Sequence, residues 1–277
     1  MGMQQEIIAA LGVQPKINPE QEIARRTAFL KDYLSAAGLK GYVLGISGGQ
    51  DSLLAGLLAQ RAAAELRQEG HKTTFHAVLL PYGEQADRAD AELACQVIKP
   101  DAVHDWNIKN STDTVADSFR QAEGRIISDY HKGNIKARMR MVAQYTIAGE
   151  NNLLVIGTDH AAEAITGFFT KYGDGGADIL PLSGLTKQQG RQLLQALEAP
   201  KRFYTKKPTA DLLDTKPGNP DEDELGLSYD VIDDYLTGKR IDPELATRIE
   251  QRYLLTAHKR AMPISITDWP SGRGNTT

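Results

Sequence analysis

Apolar positions along the chain switch repeatedly between two spacings. Residues 21–37 carry them at helical intervals, and residues 42–46 form an apolar run short enough for a buried strand. Helical spacing returns over 53–68. A second strand is predicted over 74–80, ending at the turn formers Pro81, Tyr82 and Gly83, and a helix over 87–98. Residues 103–108 read as a short strand, 128–149 as a long helix and 153–157 as a fully buried strand. This alternation predicts an α/β fold: a doubly wound, mostly parallel sheet with helices on both faces, whose ligands gather outside the carboxyl ends of the strands. The segments after residue 46, around Pro81 and around Thr158 all lie at such ends. Residues 203–225 hold three prolines and little periodicity, so a long loop able to close over a site is expected there. The stretch from about residue 270 onward reads as a disordered tail.

Composition narrows this picture. With 277 residues, 41% of them hydrophobic, and no Pro/Gly/Ser-rich linker, residues 1–277 are expected to form one domain around a large core. The net charge of −4 and the scatter of basic residues speak against a nucleic-acid partner. Cys95 is the single cysteine, so neither an intramolecular disulfide nor a C-x-x-C metal site is available, and its helical context makes it a small buried residue. Charged Glu6 and the lack of a long apolar stretch argue against a signal peptide or membrane span. Glu6 also stands where a myristoylation signal after Gly2 needs Ser or Thr. A soluble cytoplasmic protein is expected.

Residues 42–52 read YVLGISGGQDS. A buried strand that breaks into a Gly-rich turn, with a helix directly after it, aims backbone N–H groups and the positive end of a helix dipole at one point, which suits phosphate. Gly48 and Gly49 leave room for an anion to approach the backbone. The loop lacks the Lys-Ser/Thr ending of a Walker A loop and carries instead Asp51, a carboxylate placed where a phosphate-bridging magnesium would sit.

The second informative stretch, residues 157–178, reads GTDHAAEAITGFFTKYGDGGAD. Thr158 and Asp159 are candidate N-caps on leaving the strand. Glu163 falls one turn into the following helix, where it either complements the helix dipole or joins Asp51 on magnesium. His160 and Glu163 at i, i+3 form a pair without a third ligand cluster, which does not make a zinc site. Lys171, Asp174 and Asp178 punctuate a Gly-rich loop that is either a solvated turn or a wrapping for a polar ligand.

The S-G-G-x-D-S pattern resembles the pyrophosphate loop of the ATP pyrophosphatases. Together with residues 157–178, LTKQQGR, PTADLLD and HKR, the chain is similar over nearly its whole length to the bacterial ammonia-dependent NAD synthetases. The resemblance implies a homodimer that adenylates the nicotinate carboxylate of deamido-NAD with ATP and lets ammonia displace AMP. It implies that Gly45, Ile46, Ser47, Gly48, Gly49, Gln50, Asp51 and Ser52 hold the ATP phosphates, with Asp51 and Glu163 on Mg2+. Thr158, Lys187 and Thr209 would contact ATP, and Gln85 joins the binding set. Arg138, Lys171, Asp178, His258 and Lys259 would contact deamido-NAD near the dimer interface. Read from the residues alone, Arg138 belongs to a helix with a core stripe of Ile135, Met139, Val142 and Tyr145 and is an ordinary exposed arginine, while His258 and Lys259 complement a helix end. Asp174 is the candidate for holding ammonium and assisting its deprotonation, beside Asp51 and Lys187 in the catalytic set. The family's glutamine-using members carry a separate amidase domain with a catalytic cysteine, a role for which Cys95 has no supporting constellation. The chain departs from the family pattern at Leu79, where that pattern has Arg, which implies a weaker ATP contact. Two rival readings share parts of this signature: another ATP pyrophosphatase-type ligase, which has the first loop only, and an ATP-binding protein without turnover.

Overall fold

The computed structural model describes residues 2–84, 87–209, 212–215 and 218–266. Helices α1 (Met3–Ala10) and α2 (Pro19–Ala37) lead into strand β1 (Gly41–Gly45). Asn18 caps α2 by accepting a hydrogen bond from the Gln21 amide, Pro19 opens its first turn, and Gly38 closes it in the left-handed conformation. Then follow α3 (Gln50–Gln68), β2 (Thr74–Leu79), α4 (Arg88–Ile98), β3 (Ala102–Asp105), α5 (Lys109–Glu123), α6 (Asp129–Asn151) and β4 (Leu154–Val155). Helix α5, mostly polar with only Thr112 buried, has no counterpart among the elements expected from apolar spacing. The strand expected over 103–108 ends at Asp105. Trp106 and Ile108 still donate to the carbonyls of Leu79 and Pro81, so pairing continues after the regular strand stops.

The four strands pair in the order β3-β2-β1-β4, all parallel. The residues alternate between the two faces of the sheet as the pleat requires. Tyr42, Leu44, Phe75, Ala77 and Leu154 join a core with α2, α3, α4 and α8 (Lys187–Ala196), whereas Val43, Val78 and Val155 pack against α6 through Ala143 and Ile147. Within the stripe expected on α6, Val142 is 45% exposed, and Ala143 takes the buried position one residue on. Cys95 is buried on α4, as its helical context requires, and burial pushes its thiol up.

The carboxyl-terminal part is more helical than its weak periodicity announces. After α7 (Ala161–Thr166) and α8 come α9 (Arg202–Thr205), α10 (Asp221–Leu225), α11 (Tyr229–Leu236), α12 (Pro243–Leu255) and α13 (Ala257–Arg260). Ile165, Leu225, Ile232 and Ile249 from α7, α10, α11 and α12 join Ile7 of α1 in a second core. The segment expected as an unbroken loop over 203–225 therefore has α9 at one end and α10 at the other, with Thr209 and Pro220 forming an antiparallel bridge between them. It is fastened at two places. Lys206 and Arg202 reach Asp90 at the start of α4, with 2.7 Å from Lys206, and Lys132 and Lys136 of α6 hold Asp214. Among the described residues no helix is long and apolar enough to cross a membrane. The expected tail from about residue 270 lies outside the described residues.

Tyr42 is fully buried in β1 and donates its hydroxyl to the Leu30 carbonyl of α2 at 2.8 Å. Tyr42→Phe leaves that carbonyl with its helical partner alone and removes the bond between α2 and β1, so it should lower stability by about 1 kcal/mol in urea denaturation, with an unchanged m-value. Unaltered stability would show that this bond contributes nothing to docking α2 on the sheet.

Candidate active site

The loop after β1 and the segment after β4 open at the same edge of the sheet, beside the strand where the chain order reverses, which is where a doubly wound fold places its ligand. A cavity of about 310 Å3 lies there, bordered by the 45–47 loop, the first turn of α3, Thr158, Glu163, Asp174, Lys187 and Thr209. Helix α3 begins at Gln50, earlier than the apolar spacing suggested, so Gln50, Asp51 and Ser52 occupy its first turn and Gly49 is its N-cap. Ser47 and Ser52 bond each other through their hydroxyls at 3.1 Å, and the Gly45 amide donates to the Gln144 side chain at 2.7 Å. Gly48 faces away from the cavity. Its φ is +78°, and a Cβ there would stand 2.6 Å from the Ala91 amide nitrogen, so this glycine lets the loop pass the backbone of α4.

At the floor of the cavity the side chains of Asp51, His160, Glu163 and Lys187 converge. The Lys187 ammonium donates to Asp51 Oδ2 at 2.7 Å, stands 3.4 Å from His160 Nε2 and lies 4.7 Å over the Tyr229 ring. His160 Nε2 is 3.5 Å from Glu163 Oε1 and 3.8 Å from Asp51 Oδ1. Donor atoms of Asp51, His160 and Glu163 thus lie within 4.8 Å of one another, an arrangement that fits a divalent cation. The third donor that the His160–Glu163 pair lacked in the linear sequence is offered by Asp51, brought from α3 by the fold. His160, and neither Thr158 nor Asp159, occupies the N-cap position of α7, and it makes no side-chain cap bond.

Burial sets the charges here. It pushes the Asp51 carboxyl up, but the adjacent Lys187 outweighs it and holds Asp51 below its ordinary range. Glu163, buried and next to ionised Asp51, is pushed well above its ordinary value. His160 is driven down to about 4 by burial and is therefore neutral near pH 7. Its Nδ1 is buried without a hydrogen-bond partner among the described residues. Lys187 stays charged because the Asp51 carboxylate beside it overcomes the burial that opposes its charge.

Asp233, which no motif marks, and Gln50 of the first loop hold this centre in place. Asp233 of α11 accepts hydrogen bonds from the Lys187 and Gln188 amides at 3.1 and 2.7 Å, so a built-in carboxylate already fills the anion site at the start of α8. Gln50 donates to the Lys187 carbonyl at 3.0 Å, tying α3 to α8. Thr186 completes a reciprocal capping box with Gln189. Lys206, Lys207, Arg88 and Arg140 add positive charge to the cavity wall. Leu79 is 8% exposed and belongs to the core while touching the cavity rim, so a guanidinium at this position would be largely buried. Gln85 lies outside the described residues.

The remaining expected contacts form a second group beside the cavity. Arg138 is exposed on α6 and donates to the Lys171 carbonyl at 3.3 Å; Lys171 donates to the His258 carbonyl at 2.5 Å; Lys259 donates to the Gly167 and Phe169 carbonyls, both at 2.8 Å. Both oxygens of Asp178 serve the fold, one accepting from Tyr145 and the other from the Val155 amide. Asp174 connects the two groups: it borders the cavity, accepts from the Thr170 amide at 2.9 Å, and feels the charge of Lys259. Asp159 shares this corner. Burial and the charge of Asp174 push its carboxyl up to about 7.

A carboxyl whose pKa is higher in the folded than in the unfolded chain binds its proton more tightly when folded, so its burden on stability grows as pH rises from about 4 to about 7 and is complete above that. Asp159→Asn should therefore raise the thermal midpoint relative to the parent by about 3 °C or more at pH 8 in ammonium-free buffer, with the gain shrinking toward pH 5. A gain that does not change with pH would contradict this electrostatic assignment.

Comparison with known proteins bears directly on this centre. Residues 22–263 match the NAD synthase family. The chain is 58% identical over 268 residues to the NH(3)-dependent NAD(+) synthetase of Bacillus licheniformis, covering 97% of this chain and 98% of that one, and 56% identical over 268 residues to the Bacillus subtilis protein of the same name. Among solved structures, NAD+ synthetase from Burkholderia pseudomallei superposes with a TM-score of 0.81 at 45% identity, covering 94% of this chain and 96% of that one. NMN synthetase from Francisella tularensis reaches 0.79 at 32% identity, covering 90% and 99%. With the family matched across most of the chain and its relatives aligned nearly end to end, this protein belongs to the NAD synthase family.

Proposed function

We propose that this protein makes NAD from deamido-NAD, ATP and ammonia, through an enzyme-bound deamido-NAD adenylate, with release of AMP and pyrophosphate. The observation that carries this reading is the convergence of Asp51, Glu163 and Lys187 at the mouth of a loop and helix start suited to phosphate. In the first step an oxygen of the nicotinate carboxylate attacks the α-phosphorus of ATP, and the bond to the bridging oxygen of pyrophosphate breaks. The 45–52 loop and the amino end of α3 receive the departing charge, and Lys187, Lys206 and Lys207 neutralise it. Asp51 and Glu163, with His160 beside them, would hold Mg2+, which when bound screens the phosphate oxygens. In the second step ammonia attacks the acyl carbon and AMP leaves with the electron pair of the acyl–oxygen bond.

Free ammonia, not ammonium, carries the lone pair for that attack. Asp174 and Asp159, two carboxyls raised by burial at one corner, Asp159 to about 7, attract the cation while ionised and accept its proton. Arg138, Lys171, Asp178, His258 and Lys259, gathered around the 167–178 loop, are proposed to face deamido-NAD. The cytoplasm, where a single buried cysteine stays reduced, is the proposed compartment.

With ATP, Mg2+ and ammonium, deamido-NAD should be converted with NAD, AMP and pyrophosphate formed in equal amounts, and glutamine should replace ammonium poorly. The mononucleotide counterpart of deamido-NAD should be the poorer substrate. Formation of ADP and phosphate, or a preference for the mononucleotide, would overturn the assignment.

A homodimer is also proposed. Ile126, Tyr130 and Val142 near and on α6, Leu254 and Leu255 ending α12, and Met262 beyond it are large apolar side chains left exposed. Sedimentation at micromolar concentration should give about twice the 30.3 kDa chain mass, and replacing Ile126 and Val142 by Glu should shift the equilibrium toward the single chain. A fully active parent protein sedimenting as a monomer would refute it.

A further inference from the structure

The Lys187 ammonium stands against two of the three side chains that could hold a divalent cation. It lies 2.7 Å from Asp51 Oδ2 and 3.4 Å from His160 Nε2, and donor atoms of these two side chains and of Glu163 are within 4.8 Å of one another. A cation held by these donors would sit about 2 Å from each ligating oxygen. It would therefore share the space of the ammonium, and two positive charges at that separation repel strongly away from bulk water. We propose that Lys187 and the divalent cation are alternative occupants of the Asp51–His160–Glu163 nest, the lysine filling it in the ligand-free enzyme and leaving for the ATP polyphosphate as the metal enters. This rests on the assignment of Asp51 and Glu163 as the metal's carboxylates.

The surroundings suit such an exchange. The backbone of Lys187 is fixed, because Asp233 holds its amide and Gln50 its carbonyl, so only the side chain has to move. Lys206 and Lys207 border the same cavity, and polyphosphate drawn between them offers the ammonium a new anionic partner. His160 serves both states. Nothing among the described residues fixes its tautomer from the Nδ1 side, so Nε2 is available as an acceptor for the ammonium or as a metal ligand. Loading the metal without ATP would expel the lysine with nowhere favourable to go. Metal and nucleotide would then bind with strong mutual dependence.

The test is metal binding without turnover. Mn2+ is titrated by electron paramagnetic resonance in ATP-free, ammonium-free buffer against the parent protein, Lys187→Met, Lys187→Gln and the double variant Lys187→Met/Asp51→Asn. Emptying the nest of its lysine should tighten Mn2+ binding by about tenfold or more, even though these variants lose a catalytic group, and the added Asp51→Asn change should abolish the gain. Lys187→Gln keeps the comparison available if Lys187→Met fails to fold by circular dichroism. A separate arm titrates Mn2+ into the parent and Glu163→Gln with a non-hydrolysable ATP analogue present. Protein-bound Mn2+ that depends on Glu163 there, combined with no tightening in either lysine variant, overturns the exchange while leaving the metal assignment standing. Loss of that dependence on Glu163 removes the metal assignment and the exchange together.

Discussion

The ion pair between Asp51 and Lys187 is the contact around which the site is organised. Its two members come from distant parts of the chain, one from the first turn after the central strand and the other from the first residue of a helix 136 positions later. Taking both charges out of water is costly, and removing either leaves the other uncompensated, typically at about 3–5 kcal/mol. The pair is tolerable because the surroundings are prepared for it. Tyr229 offers the face of its ring to the ammonium, His160 is neutral, and the second carboxyl, Glu163, is pushed toward its protonated form so that a single negative charge faces a single positive one. The arrangement balances charge in the empty cavity and leaves capacity for more when an anionic ligand arrives.

That pairing fixes how three helices meet. Gln50 binds the Lys187 carbonyl, and Asp233 binds the two amides at the start of α8, so α3, α8 and α11 are joined at one point by hydrogen bonds inside the core. Around this point the parallel sheet supplies a stiff floor. The cations and carbonyl contacts of the 167–178 loop and α13 form a separate and more exposed arrangement, and Asp174 lies where the two meet. Rigid chemistry on one side and an adaptable recognition surface on the other is the division of labour expected where catalysis needs precise geometry and substrate entry needs access.

The sheet was legible in the sequence because β1, β2 and β4 are largely apolar with turn formers after them, and α2, α3, α4 and α6 carry apolar stripes, whereas β3, AVHD, is short and half exposed. Asp51, Glu163 and Lys187 were legible from motif and family. His160 was visible as a neighbour of Glu163, but its third partner, Asp51, is 109 positions away and only folding brings it near. Asp233 and Tyr229 sit in a short helix with no flanking motif, and their roles arise from tertiary packing alone. Helix α5 escaped because only one of its residues, Thr112, is buried, so the stripe that reveals a helix is nearly absent; the helix end expected at His258 and Lys259 falls on α13, directly after α12. Gly48 was read as room for an anion; the neighbour that requires it is the backbone of α4, which no local pattern announces.

The segment between α9 and α10 is fastened to two different helices, to α4 through Asp90 and to α6 through Asp214. The two fastenings differ: the Lys206–Asp90 pair is partly exposed and screened by dissolved salt, whereas Lys136, which holds Asp214, is buried, and Asp129 adds hydrogen bonds from the Asp214 and Thr215 amides. Dissolved salt therefore acts on the α4 end of this segment more than on the α6 end.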